Sequence, residues 1–343
     1  MLLYTTIFLW WIAKHNLITD YSLKPHRVGL FSFYMLVQEI NSSVINKAKR
    51  LGAQVGNTPL VRIKNLFAKK GVELWVKKEW EQLSGSVKCR AAYRIFLDAL
   101  EKGQLNEDKT LLDATSGNTG IAYAAIGSAL GIKVALCLPE NASIERKQIL
   151  TSLGAEIIYT SKYEGTDGAQ ELAKELATKF PDKYFYADQY KNDNNWKAHY
   201  YGTAVEIFRD LPDFTHFVAG LGTTGTFVGT GRRLKEFNSD IQLVSFQPDS
   251  ALHGLEGWKH LETAIVPTIY DPSVADRNIE VSTEESYEII RAAAKHEGLL
   301  LSPSSAANIA GALKLIDEID EGVVVTVLPD NADKYSEVIK RIL

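Results

Sequence analysis

TLLDATSGNTGIAYAAIGSALG, residues 110–131, holds a short apolar run, a turn of small polar residues and a longer apolar run in direct succession. TLLDA has the length and character of a buried strand, IAYAAIGSALG that of a helix, and only TSGNTG (115–120) lies between them. A strand that turns so abruptly into a helix leaves backbone N–H groups and the positive helix end facing one spot, where an anion such as a carboxylate is held. Capping the helix would account for one Ser, Thr or Asn. The stretch supplies Thr115, Ser116, Asn118 and Thr119, so anion binding is the stronger reading.

The same strand–helix alternation runs outward from this turn. VELWVKKE (72–79), KVALCLP (133–139), AEIIYT (155–160), YFYADQ (184–189), HFVAGLG (216–222), QLVSFQP (242–248), GLLLSP (298–303) and VVVTVLP (323–329) read as further strands. Most are continuous apolar runs, which suits strands covered on both faces. AAYRIFLDALEKG (91–103) and SIERKQILTSLG (143–154) carry apolar residues at helical spacing. The pattern predicts an α/β protein with mostly parallel sheets and ligands at the carboxyl ends of the strands. EGWKHLETAIVPTIYDPSVADRN (256–278) breaks the alternation and is expected to run over the surface, and the excursion from 249 to 278 to form part of a substrate entrance.

The 343 residues suffice for two domains or one large α/β unit. A net charge of −4, without a Lys/Arg cluster beyond pairs such as Arg232–Arg233, argues against nucleic acid as a partner. Two cysteines, Cys89 and Cys137, form no CxxC pair, which fits a reducing compartment and gives neither a disulfide framework nor a thiolate metal site. The seven histidines are scattered and predict no metal; His199 and His216 read as packing or surface residues. MLLYTTIFLWWIA (1–13) is apolar but shorter than the about 20 residues a membrane span needs. It lacks the basic start and cleavage site of a secretory signal. Residues 1–34 are therefore expected to be a dispensable extension or a misassigned start, and the protein to be cytoplasmic, without a membrane partner.

Two more small-residue turns follow strands. AGLGTTGTFVGTG (219–231) satisfies G-x-G-x-x-G through Gly220, Gly222 and Gly225, but the nearest strand-end acid, Asp249, lies further on than a dinucleotide site requires. Thr223, Thr224 and Thr226 instead suggest a cup for a single phosphate. In SPSSAAN (302–308), Ser304 or Ser305 alone would read as a helix cap. SGSVKCRAA (84–92) sets Lys88 at a helix start, where a positive charge is disfavoured unless something anionic or carbonyl-bearing meets it. A lysine, a carboxylate cup, a phosphate cup and a strand-end serine together match the needs of pyridoxal 5'-phosphate with an amino-acid substrate.

With these motifs the chain resembles the fold-type II pyridoxal-phosphate enzymes, the tryptophan synthase β-like group, and within them the cysteine synthase (O-acetylserine sulfhydrylase) family. The resemblance runs from GNTPLVRI (56–63) to VLPDNADKY (327–335) and rests on NTPL, SGSVK-x-R, TSGNTG, GLGTTGT and an SS pair in the right order. It implies two three-layer α/β/α domains with the cofactor in the cleft between them. The catalytic region would span 52–332, with a smaller subdomain around 88–191 and a larger one from 47–87 and 192–343. Carried over residue by residue, Lys88 is the Schiff-base lysine and Asn118 bonds the cofactor's ring oxygen. Thr115, Ser116, Gly117, Thr119 and Gln189 hold the substrate carboxylate. Gly222, Thr223, Thr224, Gly225 and Thr226 cradle the phosphate, and Ser304 meets the pyridine nitrogen. The implied reaction is β-replacement: L-cysteine from O-acetyl-L-serine and sulfide through an α-aminoacrylate intermediate, with Lys88 moving the α-proton.

The family pattern is broken in three places. Cys89 stands where Asp usually follows the lysine, Gln82–Leu83 where Asn-Pro is common, and Ala306 where the SS pair is usually followed by glycine. Cys89 is expected to pack inside. These changes leave open an O-phosphoserine-dependent synthase fed by a sulfur-carrier thiocarboxylate, cystathionine β-synthase and serine/threonine dehydratase. Asp249, placed where an arginine would bind a substrate phosphate, favours O-acetylserine. The resemblance further implies a homodimer, with serine acetyltransferase or a sulfur-carrier protein as a partner. An NAD-binding dehydrogenase is the alternative of a different class, and it gives Lys88 and TSGNTG no role.

Overall fold

The computed structural model describes residues 43–115 and 117–342. From residue 60 onward its strands and α-helices are, in chain order, β1 (Leu60–Ile63), β2 (Val72–Lys78), α1 (Lys88–Glu101), β3 (Thr110–Ala114), α2 (Asn118–Leu130), β4 (Val134–Pro139), α3 (Ile144–Ser152), β5 (Glu156–Thr160), α4 (Gly165–Lys179) and β6 (Tyr184–Tyr186). There follow α5 (Asn194–Ala198), α6 (Ala204–Asp210), β7 (His216–Gly220), α7 (Gly225–Phe237), β8 (Gln242–Pro248), β9 (Arg277–Val281), α8 (Thr283–Glu297), α9 (Pro303–Glu318), β10 (Gly322–Leu328) and α10 (Ser336–Ile342). A π-helical turn, His199–Thr203, joins α5 to α6. The expected extension, 1–34, lies outside the described residues.

The strands form two sheets, one in the order β1-β2-β10-β7-β8-β9 and the other β5-β4-β3-β6. Every pairing is parallel except β1 with β2. The larger sheet is covered on both faces, which explains its unbroken apolar strands. In β10, Val324 and Leu328 face the core built with α8 and α9, while Val325 and Val327 face the one built with α6 and α7. In the smaller sheet Leu112, Ala114, Ala135 and Cys137 pack against Ala169 and Ala173 of α4.

Two strands, β1 and β9, escaped the sequence reading, and one expected strand does not form. GLLLSP contributes only the isolated bridge Leu301–Asn331. Gly298 ends α8 in the left-handed conformation and Ser302 caps α9 through its hydroxyl, so too few residues remain for a strand.

The helix that follows the β7 turn is seated by glycine. A Cβ on Gly229 would lie 2.0 Å from the Trp196 carbonyl oxygen, so α7 and α5 approach at backbone distance. Gly229→Ala therefore forces these helices apart. It should cost about 1–3 kcal/mol, the usual penalty of overpacking, seen as a lower midpoint in calorimetric unfolding.

Candidate active site

The carboxyl ends of β3, β6, β7 and β10 meet the start of α1 around one cavity of about 290 Å³. Lys88, Thr115, Gly117, Asn118, Thr119, Gln189, Gly222, Thr223, Thr224, Thr226 and Ser304 all line it. Of the sequence-derived set, Gly225 is turned the other way, its Cβ position 2.1 Å from Asn195 Oδ1. Ser116 lies outside the described residues.

Lys88 opens α1, with Val87 before it. Desolvation in the cavity holds its amine below the ordinary lysine range, and the Asp330 carboxylate works in the opposite direction. The start of the helix is held by Arg90, one of four buried charges. Its guanidinium reaches Glu79 at 2.6 and 2.8 Å and Glu206 at 2.7 and 2.8 Å. Lys77 completes the set, 2.8 Å from Glu206. Burial alone would raise the Glu206 carboxyl, but Arg90 and Lys77 override it and hold the group well below its usual range. Cys89, fully buried and absent from the cavity wall, packs as expected.

At the TSGNTG turn the Thr119 hydroxyl donates to Gln189 Oε1 at 2.7 Å, which leaves the Gln189 amide nitrogen to face the cavity as a donor. The backbone beneath is fixed by Asn195 Nδ2 on the Gln189 carbonyl (2.8 Å). Asp113 takes the Gln189 N–H at 3.4 Å, and burial pushes its carboxyl up to about 7.

At the GTTGT turn Thr224 caps α7 in the left-handed region, φ 69°, a conformation that costs a side-chain-bearing residue about 1–2 kcal/mol. Its buried hydroxyl has no hydrogen-bond partner among the described residues. Strain and an idle donor in one residue, at a helix N-terminus, are what a bound phosphate would repay. The turn is not a dinucleotide site. A Cβ on Gly220 would strike the Trp258 ring at 2.0 Å and one on Gly222 the Gly257 carbonyl at 1.9 Å, so those glycines admit the 254–259 loop.

His199, which the sequence marks as a packing or surface residue, is buried against the GTTGT turn. Its Nδ1 is 2.9 Å from the Thr203 hydroxyl and its Nε2 3.3 Å from that of Thr226. Burial, then Arg90 and Lys88, keep the ring neutral. Only the fold brings it there, as it does Arg146, Glu256 and Lys259 on the cavity wall. Arg146 pairs with Glu256 at 2.5 Å and stacks over Tyr335. The 256–278 segment thus contributes to the wall through residues 256–259. Asp249 is exposed and does not line the cavity, so its charge is no argument against a phosphorylated substrate. Ser302, not Ser304 or Ser305, caps α9, and Ser304 is free to face the cavity.

The sequence profile of the family described as pyridoxal-phosphate dependent enzyme matches residues 51–330. The chain belongs to that family. Within it, the chain is 48% identical to the cysteine synthase of Aquifex aeolicus over 289 residues, 82% of this chain and 88% of that one. Among solved structures it is similar to a cysteine synthase from Entamoeba histolytica (TM-score 0.79, 31% identity, 83% and 88% of the two chains). It is similar to an O-ureido-L-serine synthase as well (TM-score 0.79, 30% identity, 83% and 92%). It is a fold-type II enzyme of the cysteine synthase type, dependent on pyridoxal phosphate. The unpartnered Thr224 hydroxyl, a buried donor at the start of α7, suits a phosphorylated group. Among the described residues no group of His, Cys, Asp or Glu could hold a metal, and no helix is long and apolar enough to cross a membrane.

Thr224→Gly separates strain from binding. The cofactor-free chain should unfold at a higher temperature, because glycine accepts the left-handed backbone. Affinity for pyridoxal phosphate, from absorbance titration, should fall about tenfold to a hundredfold, the loss expected for a hydrogen bond to a charged group.

Proposed function

We propose that this enzyme makes L-cysteine by β-replacement on O-acetyl-L-serine with sulfide. What carries the reading is one cavity holding an amine of lowered proton affinity, a carboxylate cup and a phosphate cup. Pyridoxal phosphate, bound to Lys88 and held at its phosphate by Gly222–Thr226, supplies an electron sink for the substrate's α-carbon. Thr115, Ser116, Gly117, Thr119 and the Gln189 amide take the substrate carboxylate, and Asn118 donates to the cofactor's ring oxygen. The Ser304 hydroxyl would meet the pyridine nitrogen without the negative charge that favours its protonation. This keeps the sink mild and suits loss of a β-leaving group over transamination.

Lys88 Nζ would remove the substrate's α-proton; burial brings its basicity toward the working range of a general base. Acetate leaves from the β-carbon with its bonding pair. Sulfide adds to the same carbon, and Lys88 returns the proton to the α-carbon. Residues 88–191 would act as a smaller subdomain closing over the substrate, and the chain as a cytoplasmic homodimer.

A second reading, use of O-phospho-L-serine, is favoured by Arg146 and Lys259, two cations on the cavity wall. Steady-state turnover of the two esters by the same preparation separates them. Preference for the acetyl ester supports the first reading, and strong preference for the phosphate ester overturns it. Replacing Lys88 with Ala should abolish both the visible absorbance of lysine-bound cofactor and all turnover; residual turnover near wild type would end both.

A further inference from the structure

Beyond the end of β10 lies a carboxylate to which the proposed chemistry gives no task. Asp330 is fully buried. Its Oδ2 accepts two hydrogen bonds, from Asn118 Nδ2 and from the Tyr335 hydroxyl, each at 2.7 Å. Its Oδ1 has no partner among the described residues. The backbone cannot swing away, because the hydroxyls of Ser305 and Ser302 donate to its carbonyl at 2.5 and 3.2 Å. A buried carboxylate is normally fully paired, so one bare oxygen at such a position marks a charge kept for a purpose.

Its partners Asn118 and Tyr335 line the same cavity as Lys88, and its charge acts on three cations. Lys88 stands on the cavity wall, Lys334 donates to the Gly85 carbonyl at 2.8 Å, and Arg146 pairs with Glu256 and covers Tyr335. Only Lys88 has neither an ion-pair partner nor a hydrogen bond among the contacts of the described residues. The field of Asp330 opposes the desolvation that would otherwise strip the Lys88 amine of its proton. Its hydrogen bond meanwhile ties down one Asn118 N–H and turns the rest of that amide to the cavity.

We propose that Asp330 is a positioning residue of the active site: it aims the Asn118 amide and supplies the fixed negative charge that balances a proton on the Lys88 nitrogen. The proposal rests on the reading of Lys88 as the reactive amine, but its test reads the lysine directly. The full chain, freed of cofactor, is acetylated over a range of pH and modification at Lys88 is followed by mass spectrometry. Asp330→Asn removes the charge and keeps the shape. The protonated amine loses its partner, so the midpoint of reactivity should move to lower pH by about one unit, a tenfold gain in neutral amine below the midpoint. Tyr335→Phe takes one donor from the carboxylate and leaves its charge, so the midpoint should move the other way.

In the cofactor-loaded enzyme, the pH titration of the visible absorbance should shift downward in Asp330→Asn as well. An unchanged Lys88 midpoint in Asp330→Asn overturns the proposal. Should that variant not fold, a midpoint in Tyr335→Phe that stays put or falls does the same, and a rise supports it. Failure of the functional reading shows elsewhere, as turnover surviving Lys88→Ala.

Discussion

Everything in this site depends on a guanidinium that never meets the substrate. Arg90 lies two residues past Lys88, so whatever fixes Arg90 fixes the turn of helix that presents the amine. Glu79 from the end of β2 and Glu206 from α6 grip it from two sides, and Lys77 balances the second of these. Four charges buried together are a costly way to hold a helix, and hydrophobic packing would often be as stable. Packing, however, tolerates small slips, whereas a forked cation between two carboxylates fixes direction and register together. The second property is what sets the direction of the Lys88 amine at the start of that helix.

The remaining polar parts are arranged by the same logic of fixing donors before any ligand arrives. The Thr119 hydroxyl commits the oxygen of Gln189 and leaves its nitrogen to the cavity, and His199 stands behind Thr226 at the GTTGT turn. Donors already aimed need no reordering when an anion enters. Thr224 carries this furthest, since its backbone is strained and its hydroxyl unused in the described chain.

Much of this was legible in the sequence, and the parts that were not have a common physical cause. Continuous apolar runs announced strands buried on both faces, and small-residue turns at strand ends marked Thr115, Asn118 and the 222–226 bend. Those features are local: each is written within a dozen residues. GLLLSP misled because an apolar run does not reveal that its neighbours, Gly298 and Ser302, are already engaged in ending one helix and starting another. Asp330, His199 and Arg146 were missed for a different reason. Each acts on a residue more than twenty positions away, and no spacing along the chain encodes that. Asp249 failed in the converse way, since proximity to a strand end does not guarantee a view of the cavity.

The glycines of the β7 turn have a reach beyond their own backbone. Because Gly220 and Gly222 let the Trp258 ring and the Gly257 carbonyl rest directly on the strand end, the wall beside the cavity and the floor at the GTTGT turn are one piece of masonry. A lineage adapting this scaffold to a bulkier nucleophile could not simply swing that wall outward without lifting the floor. Past Lys259 the chain is anchored again, with Ile269 buried and Asp271 and Asp276 paired to Arg232 and Lys235 of α7, so room for such a group has to be made from the other sides of the cavity.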